Sequence, residues 1–66
     1  ELTDSIEGFL RGISEQARNL FIGRYFYMDS VKEAAAYCGL TESNAKVLLH
    51  RTRCALREHL RKEGYL

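Results

Sequence analysis

The most constraining feature of the chain is the stretch Ser30–Arg53, SVKEAAAYCGLTESNAKVLLHRTR, which carries two helix-start signals with one helix-stop between them. Ser30 is a good N-cap and Glu33 follows three residues on, the spacing of a reciprocal capping box. A short alanine-rich helix follows, with Ala34, Ala35 and Ala36 in a row. Gly39 stops it, because a residue without a Cβ adopts the left-handed conformation of a tight helix end at least cost. Thr41 is the next N-cap, and Glu42 places an anion in the first turn, where the helix dipole favours it. Leu40 and Ala45 flank that cap at the spacing of a hydrophobic staple. Two helices joined by so short a turn cross steeply, and Ala35 is the small residue expected where they touch. The stretch is a helix-turn-helix.

The remaining sequence supplies two further helices. Ile6, Phe9 and Leu10 repeat at i, i+3, i+4, so a first amphipathic helix is expected from Thr3 or Asp4 to Gly12, with Asp4 and Glu7 as a capping pair. Ser14 caps a second helix from Glu15 to about Phe26, whose apolar positions are Ala17, Leu20, Phe21 and Tyr25. Leu20 and Phe21 should supply much of the core, and Tyr27-Met28-Asp29 forms the connection to the helix-turn-helix. The last helix is the longest, from Glu42 to about Glu63. Its inward seam is Ala45, Leu49, Thr52, Leu56 and Leu60. No strand pattern competes, so the expected fold is all-α, a compact four-helix domain with a long C-terminal recognition helix.

Sixty-six residues make one domain, residues 1–66, with the helix-turn-helix at about 30–53. A chain of this size buries only about 60% of its unfolded surface, so its core is small. A first residue of glutamate rather than methionine suggests a fragment of a longer chain. No apolar run approaches the roughly 18 residues of a membrane span, and no signal-peptide pattern is present, so the expectation is a cytoplasmic location away from membranes. Cys38 and Cys54 lack the close pairing of a metal or redox motif, and reduced thiols are expected. Cys38 reads as a small buried apolar residue. His50 and Cys54, four apart, could share a helix face, but no further ligands complete a metal site. No nucleophile-base pair or glycine-rich phosphate loop is present, so neither enzyme activity, a cofactor nor a small-molecule substrate is expected.

Charge is unevenly divided. The net charge is +1, but residues 1–45 carry four Arg/Lys against seven Asp/Glu, and residues 46–66 carry six against two. The halves are thus −3 and +4. A cationic last helix on an acidic domain is the footprint of phosphate contact confined to one face. Arg57, Glu58, Arg61 and Lys62 also fit a solvated helix laced by its own ion pairs. On the face opposite the seam lie Ser43, Asn44, Lys46, Val47, His50 and Arg51. A major groove admits one such helix. There Asn44 can bond adenine, Lys46 and Arg51 can reach guanine or phosphate, and Ser43 with the helix N-terminus can hold a phosphate. His50 can touch a phosphate or a base edge. Arg53 and Arg57 are candidates for the DNA backbone. Each of these is otherwise a solvated surface residue.

Taken together, Ser30, Glu33, Ala35, Gly39, Thr41, Lys46, Leu49, His50, Arg51 and Arg53 resemble the pattern of region 4 of a sigma-70 class sigma factor, of the extracytoplasmic-function type. The flanking Arg24-Tyr25-Phe26 and Leu56-Arg57-Glu58 extend the likeness to about Phe9–Leu60. The resemblance implies sequence-specific binding of double-stranded DNA at the minus-35 promoter element. It also implies docking on the β-subunit flap of RNA polymerase core, and an anti-sigma factor as a further partner. Two positions depart from the pattern, which commonly has serine and arginine where this chain has Val47 and Leu48. Leu48 is expected to pack on the first helix of the motif. Val47 is then exposed, either against a thymine methyl or as a tolerated surface residue. Arg24 is expected to pair with Glu33. The rival readings are a stand-alone helix-turn-helix regulator and a protein-interaction module that has lost DNA binding, for which an exposed Val47-Leu48 pair would be the support.

Overall fold

A computed structural model describes all 66 residues and contains four helices: α1 Leu2–Gly12, α2 Glu15–Tyr25, α3 Val31–Tyr37 and α4 Glu42–Lys62. No strand is present, and α4 packs against each of the other three. With 21 residues α4 is about 31 Å long at 1.5 Å per residue, close to the full 34 Å length of the molecule. It is the axis on which the other helices are mounted.

The caps fall where the sequence places them, with one exception. Ser14 Oγ accepts from the Ala17 N–H, and Thr41 Oγ1 accepts from the Asn44 N–H. Ser30 and Glu33 form the full capping box: the Glu33 N–H donates to Ser30 Oγ, and the Ser30 N–H donates to Glu33 Oε1. The bonds from the Ser30 backbone and then its side chain hold the Glu33 carboxyl below its ordinary value of 4.5. Helix α1 differs from expectation. It begins at Leu2, has Glu1 at its N-cap with no side-chain cap, and the Asp4–Glu7 capping pair is not formed. Its other end is held from outside instead, where Arg18 Nη1 donates to the Leu10 carbonyl.

Gly39 has φ 73°, and its turn is closed by the Leu40 N–H donating to the Ala35 carbonyl at 2.9 Å. That is the glycine-ended helix stop read from the sequence. Gln16 Nε2 braces the same turn by donating to the Cys38 carbonyl. The α2–α3 connection also passes through the left-handed region, but without a glycine. Met28 sits at φ 60°, and the Asp29 N–H donates to the Gly23 carbonyl at 3.0 Å. A methionine occupies a left-handed position that glycine normally takes.

The core is small and centred on α2, α3 and α4. Leu20, Ala34 and Ala45 are fully buried, with Leu10, Phe21, Ala35 and Leu49 nearly so. Ile6, Phe9, Leu40, Leu48 and Leu56 pack around this cluster. Tyr25 is 39% exposed, its ring tilted against that of Phe21 at 4.8 Å between centroids, and it lies at the rim of the core. A clasp that the sequence did not reveal ties the chain ends together. Ser5 Oγ donates to Glu63 Oε1 at 2.6 Å, and His59 Nε2 lies 3.1 Å from the Ser5 carbonyl.

Two substitutions separate packing from backbone strain. Leu20→Ala empties the one fully buried large side chain and should cost about 2–5 kcal/mol, enough to unfold much of so small a domain. Met28→Gly should act in the opposite sense. It removes a left-handed cost of about 1–2 kcal/mol and adds back roughly 0.5–1 kcal/mol of glycine backbone entropy. Urea unfolding followed by circular dichroism reads both, the second as a higher midpoint with an unchanged slope.

Candidate nucleic-acid interface

The site is built on α4, whose orientation is fixed by its contact with α3. Ala34 and Ala35 of α3 and Ala45 of α4 belong to one buried cluster, each with at most 2% exposure, and their small side chains let the helices pack closely. Packing on α1 and α2 holds the rest of α4. The seam Ala45, Leu49 and Thr52 is buried, and Leu56 and Leu60 are half-buried. Thr52 turns its hydroxyl back to the Leu48 carbonyl at 2.8 Å, which satisfies it without a partner from another helix.

Ser43, Asn44, Lys46, Val47, His50 and Arg51 are all exposed on the side away from that seam. These are six of the seven sequence-derived candidates. Arg53, the seventh, is also exposed and lies close to Lys46 in angle round the helix, seven residues on, but its Nη1 is engaged, donating to the Tyr25 hydroxyl at 2.6 Å. Leu48 is half-buried against the core while Val47 is 48% exposed, so the two do not form an exposed apolar pair. The feature that favoured a protein-interaction module is absent.

Electrostatics sharpen the picture of this face. Lys46 Nζ lies 3.7 Å from Glu42 Oε2, with both side chains exposed. Such a surface pair is worth about 0–1 kcal/mol, so a phosphate can displace Glu42 at little cost. Arg61 pairs with Glu58, and the four ion pairs of the molecule leave Arg51, Arg53 and Arg57 without a carboxylate partner. The Arg24–Glu33 pair expected from sequence is not formed. Glu33 is engaged in its capping box, and the Arg24 guanidinium lies 5.6 Å from the ring centre of the adjacent Tyr25. Cys54 Sγ lies 3.7 Å from His50 Nε2 on the outward side, and no group of three or more metal-ligating side chains forms anywhere in the molecule. Cys38 is half-buried, and burial raises its thiol above the ordinary value of 9.0.

The family model described as "Sigma-70, region 4" matches residues 3–56. The chain belongs to that family. No curated protein and no solved structure matches it. Sigma-70 region 4 is a promoter-recognition DNA-binding domain of sigma factors rather than a catalytic one, and it works together with RNA polymerase. The helix-turn-helix of this family is thus the α3–Gly39–α4 unit, and no helix of the domain is long and apolar enough to cross a membrane.

A feature of this unit escaped the sequence. Tyr37, at the end of α3, reaches across to α2 and donates its hydroxyl to Asp29 Oδ2 at 2.9 Å. Gly23 makes room for it: a Cβ there would lie 1.7 Å from the Tyr37 hydroxyl oxygen. A glycine in the middle of a predicted helix, six residues before an aspartate, was the available signal. Donation to the Asp29 carboxylate, then desolvation and the Asp29 charge, pushes the Tyr37 phenol up to about 12 from its ordinary 10.0. Because the folded value is the higher one, the linked stability is intact below pH 10 and is lost as pH climbs to about 12. An absorbance titration of the four tyrosines should show one phenol ionising at about 12. Asp29→Ala should return that phenol toward the ordinary range.

Proposed function

We propose that this domain reads the minus-35 promoter element as part of a sigma factor of the extracytoplasmic-function type, while docked on RNA polymerase. The observation that carries this reading is the outward face of α4. Ser43, Asn44, Lys46, Val47, His50 and Arg51 are exposed together on the one helix that the helix-turn-helix leaves free to enter a groove. Asn44 is suited to an adenine edge, and Lys46 and Arg51 are suited to guanine O6/N7 or a phosphate. Val47 presents its methyls to a thymine methyl. The free end of the α4 backbone, beside Ser43, holds a phosphate that sets the register. The acidic first half of the chain points no comparable cationic face at DNA, so approach is polarised.

Arg53 and Arg57 take a different role. With Phe21, Tyr25, Leu56 and Leu60 they border an apolar groove between α2 and the second half of α4. This groove is the surface we assign to the β-subunit flap of the polymerase. An anti-sigma factor would act by covering either surface.

Two experiments test the two halves. Selection from a randomised duplex library, with polymerase core present, should enrich one short motif. Lys46→Ala or Arg51→Ala should weaken binding and lower the salt slope by about one per phosphate contact removed, or cost about 1–3 kcal/mol where the contact is to a base. No enrichment with core polymerase bound would refute minus-35 reading. Separately, Leu60→Asp should abolish pull-down of polymerase core by the folded domain while leaving its DNA contacts in place; retained pull-down would reject the groove assignment.

A further inference from the structure

A carboxylate stands beside the cations of the outward face of α4. Glu42 is the first residue of that helix and is exposed. Its Cα lies toward the seam, more than a third of a turn round the helix from Val47. The side chain nevertheless runs along the helix to Lys46, where Oε2 comes to 3.7 Å from Nζ. An acceptor and a donor therefore sit next to each other in the first two turns, both in solvent. An acid in a first turn suits the helix dipole, but the first turns of a recognition helix are also the part that meets base edges. There a carboxylate is repelled by phosphates and by the acceptor atoms of guanine and thymine. The base group that matches it is an amine, the N4 of cytosine.

A G·C pair presents both halves of what this ion pair can bond. Guanine O6 and N7 are acceptors, and cytosine N4 is the donor beside them. O6 and N4 are hydrogen-bonded to each other across the pair, so they lie about 2.9 Å apart, comparable with the 3.7 Å between Nζ and Oε2. The match holds in one orientation only. Reversing the base pair sets the amine against the ammonium and the acceptors against the carboxylate. An A·T pair fits less well, because its amine has an acceptor on each side. We propose that Glu42 and Lys46 read one G·C pair as a unit, Lys46 donating to guanine O6/N7 and Glu42 accepting from N4 of the paired cytosine. Glu42 is then a specificity-determining residue. It adds little affinity, being an anion among phosphates, and it rejects base pairs that offer no amine. The proposal rests on the reading of α4 as the helix that enters the major groove of a promoter element.

The test is selection from a randomised duplex library, with polymerase core present, on the parent chain and on Glu42→Gln, Glu42→Ala and Lys46→Ala, each checked for helix content by circular dichroism. The parent should enrich a G·C pair, in one orientation, at one position of its motif. Both Glu42 variants should relax that position by about fivefold or more and keep the others. They should also bind duplexes carrying A·T there at least as tightly as the parent does, because an anion has been removed. Lys46→Ala should relax the same base pair. A motif unchanged by the Glu42 substitutions, or weakened evenly at every position, would overturn the proposal; the even loss is what a helix-start role alone produces. Even weakening by Lys46→Ala would overturn it too, since that is the result if a phosphate displaces Glu42 from Lys46. A parent chain that enriches no motif at all would instead remove the minus-35 reading on which the proposal rests, a separate failure.

Discussion

The packing of α3 on α4 around a cluster that buries Ala34, Ala35 and Ala45 is the constraint on which the rest of the domain depends. A seven-residue helix is too short to hold itself together in water, so α3 exists because its two ends are capped and its alanines are buried. The capping box supplies one end and the Gly39 stop supplies the other. With both ends fixed and three alanines buried in the cluster that the two helices share, few crossing geometries remain open to α4. The outward face of α4 is then determined by exclusion: the seam must face the other helices, so Asn44, Val47 and Arg51 must face away. A bulkier residue at Ala35 would push α4 off this register, and every candidate DNA contact would shift together.

Most of this was legible in the sequence because it is local. Caps, the glycine stop and the 3.6-residue seam act over fewer than five residues, and their chemistry names them. What was not legible joins residues distant along the chain. The clasp of Ser5, His59 and Glu63 spans 58 positions, and no pattern in either segment announces the other. The bond from Arg53 to Tyr25 spans 28, and it is the reason Arg53 stands apart from the six residues with which the motif groups it. The Arg24–Glu33 expectation failed for a related reason. Glu33 had two suitors, and a local capping box, formed by a backbone N–H three residues away, displaces a surface ion pair worth about 0–1 kcal/mol. Where the site is concerned, all seven candidates of α4 are exposed, and Arg53 alone among them is bonded to another helix.

That division has a physical consequence. A helix in a groove presents one side to DNA, and the side facing its own domain is occupied by packing. Only the flanks of α4 remain for another partner. Arg51 continues the outward face, whereas Arg53 and Arg57 border an apolar groove floored by Phe21, Leu56 and Leu60. Guanidiniums beside apolar surface suit an amphipathic protein segment better than a phosphate backbone, which has no apolar part to bury. The length of α4 makes the arrangement possible. On the proposed reading its first half faces the groove of DNA and its second half a protein surface, an arrangement that one rigid helix of 21 residues can hold at once.

The same economy explains features that stability alone would remove. A domain of this size has a core of seven buried apolar residues, yet it leaves Phe26, Tyr27 and Met28 at 66–75% exposure on the α2–α3 connection. Met28 is held there in a left-handed conformation that glycine would adopt with less strain. Exposed apolar residues scattered singly need no explanation, but three in succession on a strained turn do. Nor can they all be turned inward. The core beneath them is already closed by Leu20 and Ala34, both without solvent access, and larger side chains would force α3 away from α2. The connection therefore carries its apolar residues outward because the packing that orients α4 has no space left for them.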